Sequence, residues 1–175
     1  MLYGQENAAN AGYRRGRAKR FGQRCAIGVP SPAMWSADSI FGRRYGTDYF
    51  MRRIVSIIEN EQWTAVGITG IRTPDDVQTL KQHFGNNFTL IYVHVNDTHT
   101  RYERARQRAE ARDPSTFEEF SQKDREEEEL FHIQATIQSA DLTIDNSGSL
   151  EDFHREIEEK IIRGPLGSQL MCDPG

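Results

Sequence analysis

The sequence predicts an α/β fold: a parallel sheet flanked by helices in three layers. Three observations carry this. Runs rich in β-branched and aromatic residues recur at 63–70 (WTAVGITG), 88–95 (FTLIYVHV) and 141–145 (DLTID). A helix-start signal follows each run. Between them lie stretches with apolar residues at helical spacing. Strands that alternate with helices favour a parallel sheet built through crossover connections, so all three runs are expected to run parallel in one sheet.

The elements follow in order. Thr47 can cap a helix whose apolar face includes Phe50, Ile54, Ile57 and Ile58. After the first strand, Thr73-Pro74-Asp75-Asp76 combines a capping threonine, a proline at the first helical position and an aspartate three residues after the cap. Val77, Leu80 and Phe84 then share a face, and Gly85 stops the helix. Asp97 or Thr98 opens a helix that runs to about Ala111, and Asp113-Pro114 interrupts it. A longer helix is expected over 116–139. Past the third strand, Asn146-Ser147-Gly148 turns the chain, and Ser149 with Asp152 forms a capping box. Leu150, Phe153, Ile157 and Ile161 line the final helix. The expected organisation is an irregular basic region at 1–44, an α/β domain at 45–163 and a flexible tail at 164–175.

A chain of 175 residues with 37% hydrophobic residues can bury an ordinary core. The net charge of −4 is unevenly spread: residues 1–60 hold ten Lys/Arg against four Asp/Glu, and residues 61–175 hold twelve against twenty-two. A basic front end can attract phosphates, nucleic acid or an acidic partner, or it can be a solvated arm. Only Tyr13 and Phe21 stand beside Arg14, Arg15, Arg17, Lys19 and Arg20 as stacking platforms, which argues against nucleic acid. Cys25 and Cys172 have no metal-ligand neighbours at useful spacing, and His94 and His99 lack a third ligand, so no metal site is expected. No apolar run approaches the roughly 20 residues of a membrane span, and the first residues lack a signal-peptide core. The expected setting is cytoplasmic.

Three groups could carry chemistry. Arg101, Arg104, Arg108 and Arg112 fall on a helical stripe about 80° wide. Such a stripe suits phosphate, because arginine matches phosphate bidentately. It equally suits a solvated helix in which Glu103 and Glu110 pair with arginines. Arg72, in Gly70-Ile71-Arg72, stands at the carboxyl end of a strand and just before a helix N-terminus. That is where open parallel sheets bind ligands, although a packing glycine and a solvated arginine would look the same. Asn146, Ser147 and Gly148 follow the last strand and are either a ligand loop or an ordinary turn. Asp124 and the run 126–129 read as a solvated helix face.

Taken in order over about residues 45–162, several segments resemble dephospho-coenzyme A kinase-like and nucleotide kinase-like P-loop proteins. They are Tyr45-Gly46-Thr47-Asp48, Gly70-Ile71-Arg72 with its Thr-Pro-Asp-Asp-Val, and Arg101-Tyr-Glu-Arg104 with Arg108. Further along come Asp113-Pro-Ser-Thr-Phe-Glu-Glu-Phe leading to Asp124-Arg125, then Ala140-Asp141, then Asp145-Asn146-Ser-Gly. The resemblance implies an ATP-dependent phosphotransferase that uses ATP and Mg²⁺ on a nucleotide or small phosphorylated substrate, with a place in coenzyme A biosynthesis. It implies a lid at 101–112, with Arg72, Arg104 and Arg108 catalytic and Arg101 and Arg112 on the nucleotide. It places Asn146, Ser147 and Gly148 near the adenine ring.

Two departures stand out. No Gly-x-x-x-x-Gly-Lys-Ser/Thr loop occurs in the chain, and Thr69 stands where the family has an acidic residue. Cys25–Val29 followed by 30–36 is a candidate for a degraded phosphate-loop strand and loop, with Gly28 the remaining glycine and Met34 near the lysine position. The alternatives are an altered start, a fragment, or direct pairing of the flanking strands. Weak ATP binding is expected as a result, and a non-catalytic nucleotide- or partner-binding module is the alternative to an enzyme.

Overall fold

The computed structural model describes residues 46–63, 65–108 and 114–167, together with the backbone of residues 24–28. The expected phosphate-loop remnant at 30–36, the arginines at 14–20, Arg112 and the end of the chain lie outside the described residues. The chain divides into two compact units, Met1–Phe88 and Thr89–Gly175.

In the first unit, β1 (Arg24–Gly28) pairs parallel with β2 (Ala65–Thr69), with Arg24 opposite Ala65 and Gly28 opposite Thr69. Residues 25–28 of the apolar run therefore lie in a strand, and it is a direct neighbour of the strand read from WTAVGITG. Helix α1 (Tyr49–Asn60) begins after Asp48, one residue later than the sequence suggested. Its buried residues are Met51, Ile54, Val55 and Ile58, so the inward face is rotated from the expected one, and Phe50 and Ile57 flank it. Helix α2 (Pro74–Phe84) buries Val77 and Leu80. Met51, Ile54, Val55, Ile58 and Leu80 form one cluster, with Trp63, Val66, Ile68, Ile71, Phe84 and Phe88 packed against it. Gly85, at φ +54°, ends α2 in a conformation that L side chains rarely adopt.

In the second unit, β3 (Ile91–His94) pairs parallel with β4 (Leu142–Asp145), with Ile91 opposite Leu142 and His94 opposite Asp145. The Asp141 carboxylate closes the foot of this ladder. It accepts the Leu90 N–H at 2.8 Å, while the Leu90 carbonyl accepts the N–H of Asp141 at 2.9 Å. Helix α3 (Thr98–Arg108) and helix α4 (Phe117–Phe131) pack through aromatic rings. Buried Tyr102 meets His99, Phe117 and Phe120 with ring centroids 5.7–6.2 Å apart, and its hydroxyl donates to the Ser115 carbonyl at 3.1 Å.

The helix expected over 116–139 is two helices, because His132 adopts the left-handed conformation (φ 52°) between α4 and α5 (Ile133–Gln138). Helix α6 (Leu150–Ile157) is followed by a π-helical turn, Glu158–Ile162. Leu150, expected on its apolar face, is exposed.

The structure is thus α/β with short parallel ladders. Each ladder joins two strands, 24–28 with 65–69 and 91–94 with 142–145. Among the described residues, β2 takes β1 as its hydrogen-bonding neighbour, and β3 takes β4. The strand at 24–28 supplies β2 with its partner.

The capping box of α6 carries a pH signature. Asp152 accepts from the N–H and hydroxyl of Ser149, and Ser149 Oγ accepts the Asp152 N–H in return. The Ser149 hydroxyl, then Arg155, then the Ser149 N–H lower the Asp152 carboxyl from 3.8 to about 2. A folded-state value below the unfolded one stabilises above the unfolded pKa and is lost as pH falls through the folded one. The protection of the amides at residues 149–152, taken against their intrinsic exchange rate at each pH, is therefore expected to hold above pH 4 and to fall as pH drops from 4 toward 2. Asp152→Asn should show the lower protection even at pH 7. A flat profile in the parent chain would remove the cap from the account.

Candidate functional site

The first unit assembles two of the motif segments. β2 ends at Thr69, which is exposed, and Gly70 turns the chain at φ +87°. Arg72 follows. Its guanidinium donates to the Gly70 carbonyl at 3.3 Å, and its N–H donates to Asp76 Oδ2 at 3.4 Å. Asp76 also accepts the Thr73 N–H at 3.2 Å, completing the predicted capping box. Burial pushes the Asp76 carboxyl above its ordinary value, against the lowering effect of these donors. The Thr47 hydroxyl donates to Asp75 at 2.7 Å, so Thr47 is tied to the start of α2. Thr47 thus serves α2 instead of capping α1.

In the second unit the carboxyl end of the β3–β4 ladder is built by short-range bonds. Asn146 N–H donates to the His94 carbonyl at 2.8 Å and extends the ladder by one residue. Asp145 accepts the Ser147 N–H at 2.7 Å, forming a turn, and its carboxyl is lowered chiefly by the Ser147 hydroxyl and N–H, with His94 and Lys160 adding to it. Ser147 Oγ accepts the Asn96 N–H at 2.9 Å, which sews the loop after β3 to the turn after β4. Asp97 opens α3: it accepts from the Thr100 N–H at 2.7 Å and the Thr100 hydroxyl at 2.8 Å.

The arginine helix reaches this strand end. Arg104, half-buried, donates to the Asn146 carbonyl at 2.6 Å and to the Gly148 carbonyl at 3.0 Å. Two candidate groups that are 42 and 44 residues apart in sequence are therefore one structural site. Arg101 does something different. Its two terminal nitrogens each donate to an Asp124 oxygen at 2.7 Å, and one also donates to Thr98 Oγ1 at 3.3 Å. The guanidinium carbon lies 5.7 Å from the Phe120 ring centroid. The Arg101 and Asp124 side chains are 36% and 41% exposed. An ion pair at this exposure contributes about 1 kcal/mol or less to stability.

Arg108, exposed near the end of α3, is engaged by a neighbour. Arg72 belongs to the first unit and Arg101, Arg104 and Arg108 to the second.

Asp124 is the functional candidate missed in the sequence, where it reads as part of a solvated acidic face. Its position was available as a signal, since Phe117, Phe120 and Asp124 share one helical face. Among the described residues, no three His, Cys, Asp or Glu side chains converge as a metal site. No helix among them is long and apolar enough to cross a membrane.

No protein-family model matches the chain. It is 31% identical over 120 residues to a UPF0200/UPF0201 protein of Archaeoglobus fulgidus, covering 67% of this chain and 36% of that one. It is 37% identical over 94 residues to a UPF0200 protein of Pyrococcus abyssi, covering 53% and 49%. A UPF0200 protein of Hyperthermus butylicus is 32% identical over 119 residues, covering 68% and 62%. The chain spans about half the length of the curated relatives it matches, from 36% to 62% in these three.

These findings correct the family read from the motifs. The relatives are named UPF0200 or UPF0201 proteins and not dephospho-coenzyme A kinases, and no P-loop kinase model matches. The assignment to that family, to kinases and to coenzyme A biosynthesis is set aside. Its motif residues have local explanations: Asp141 closes a ladder, Asp76 and Asp152 cap helices, and Asn146 and Gly148 offer backbone carbonyls.

Proposed function

We propose that this chain is a binding module for a small phosphorylated ligand of the nucleotide class, held at the carboxyl end of the β3–β4 ladder. One observation supports this above the others. Arg104 is fixed over the Asn146–Gly148 turn by two backbone carbonyls, and arginine carries five N–H donors in a fixed fork. The donors not used by the turn are positioned where open parallel sheets take ligands. Arg108, one helical turn on, lies on the same stripe. The nearby Asp145 carboxylate repels phosphate, which keeps the expected affinity modest.

ATP suits the reading as a probe. Mg²⁺ accompanies ATP as the nucleotide's counter-ion.

Calorimetric titration with pyrophosphate, ATP and adenosine tests the ligand class. Pyrophosphate and ATP should bind with Kd of roughly 0.1–1 mM, about 4–5.5 kcal/mol, and adenosine should not. Arg104→Ala should weaken both by about tenfold, which corresponds to ~1.4 kcal/mol. Adenosine binding as tightly as ATP, or an Arg104→Ala chain that binds like the parent, would overturn the reading. Conversion of ATP to ADP would add catalysis to it.

A further inference from the structure

We infer that Arg101 is a positioning residue and not a ligand contact, and that Asp124 is its clamp, so that together they place Arg104 over the strand-end turn. This rests on the phosphorylated-ligand reading above and deepens it. On sequence spacing, Arg101 and Arg104 are equivalent members of one stripe. The geometry separates them. The Arg101 fork is met on both terminal nitrogens by the two Asp124 oxygens, each at 2.7 Å, with Thr98 Oγ1 as a further acceptor at 3.3 Å. Both forks are occupied, but by different acceptors: the Asp124 carboxylate neutralises Arg101, whereas the two carbonyls that hold Arg104 are neutral and leave its positive charge available to an anion.

The pair also sits where it can set the angle of α3. Asp124 lies on the face of α4 that carries Phe117 and Phe120, and those rings hold Tyr102, the residue beside Arg101. Arg104 follows Arg101 by three residues on the same stripe and reaches the Asn146 and Gly148 carbonyls. A rotation or shift of α3 would carry Arg104 away from both.

The test exploits opposite signs. Asp124→Asn keeps the side-chain shape but removes the charge that holds Arg101. If Arg101 positions, this variant should bind pyrophosphate about three- to tenfold more weakly than the parent chain, with unchanged helix content by circular dichroism. If Arg101 is instead a ligand arginine restrained by Asp124, the same substitution should tighten binding. Tighter or unchanged binding overturns the inference. The charge-reversed double variant, Arg101→Asp with Asp124→Arg, provides the second readout. It should restore pyrophosphate affinity to within about threefold of the parent, whereas either single reversal should lose it. A folded double variant that fails to restore binding overturns the inference while the ligand reading stands. A parent chain that binds no pyrophosphate overturns the ligand reading, and this inference with it.

Discussion

Tyr102→Ala is expected to loosen the α3–α4 hairpin more than any other single change in the second unit. The ring is 8% exposed and touches His99, Phe117 and Phe120, and its hydroxyl holds the Ser115 carbonyl. Truncating a buried aromatic costs about 3–5 kcal/mol, through lost transfer energy and the cavity left behind. Tyr102→Phe removes only the hydrogen bond and should cost about 1 kcal/mol. Hydrogen exchange resolved along the chain separates the two variants: in Tyr102→Ala, protection should fall over 98–108 and 117–131 first. If the alanine variant matches the phenylalanine variant, the aromatic cluster does not hold the hairpin.

The second large effect lies in the other unit. Leu80 is fully buried between α1 and α2, with Met51 and Ile54 beside it in the same cluster. Leu80→Ala should cost about 3 kcal/mol, a fall in melting temperature of roughly 10 °C. Both tryptophans, Trp35 and Trp63, fall within residues 1–88, and Trp63 packs against this cluster. Intrinsic fluorescence therefore reads this unit. A Leu80→Ala chain whose fluorescence transition stays within about 1 kcal/mol of the parent would contradict the core as described.

What was legible in the sequence was mostly local. Thr73 with Asp76, Ser149 with Asp152, and Asp97 at the head of α3 are caps whose donors and acceptors lie within three residues. Residue type and spacing alone suffice to find them. Strand positions were also readable, and parallel pairing followed from the intervening helices.

The misses share a cause. The break at His132 depends on a left-handed residue that is not glycine, so no composition signal marks it. The pairing of β1 with β2 joins residues about 40 apart in sequence. The role of Asp124 depends on an arginine 23 residues away. Within one helix Asp124 is only another acid among Glu126–Glu129, and only the fold selects it. The motif resemblance went astray in the same way, because caps and ladder-closing carboxylates recur wherever strands feed helices.

The Arg104 contact has a consequence for anyone seeking to alter it. Both acceptors are main-chain oxygens, so substituting the side chain of Asn146, or placing one at Gly148, changes the turn's shape but deletes neither partner. The bond can be broken cleanly from one side only. A screen for compensating changes that rescue Arg104→Ala should therefore find none that rebuild it at 146 or 148. Paired-substitution methods, which detect contacts through reciprocal exchange of side chains, would pass over the link that joins this helix to its strand end.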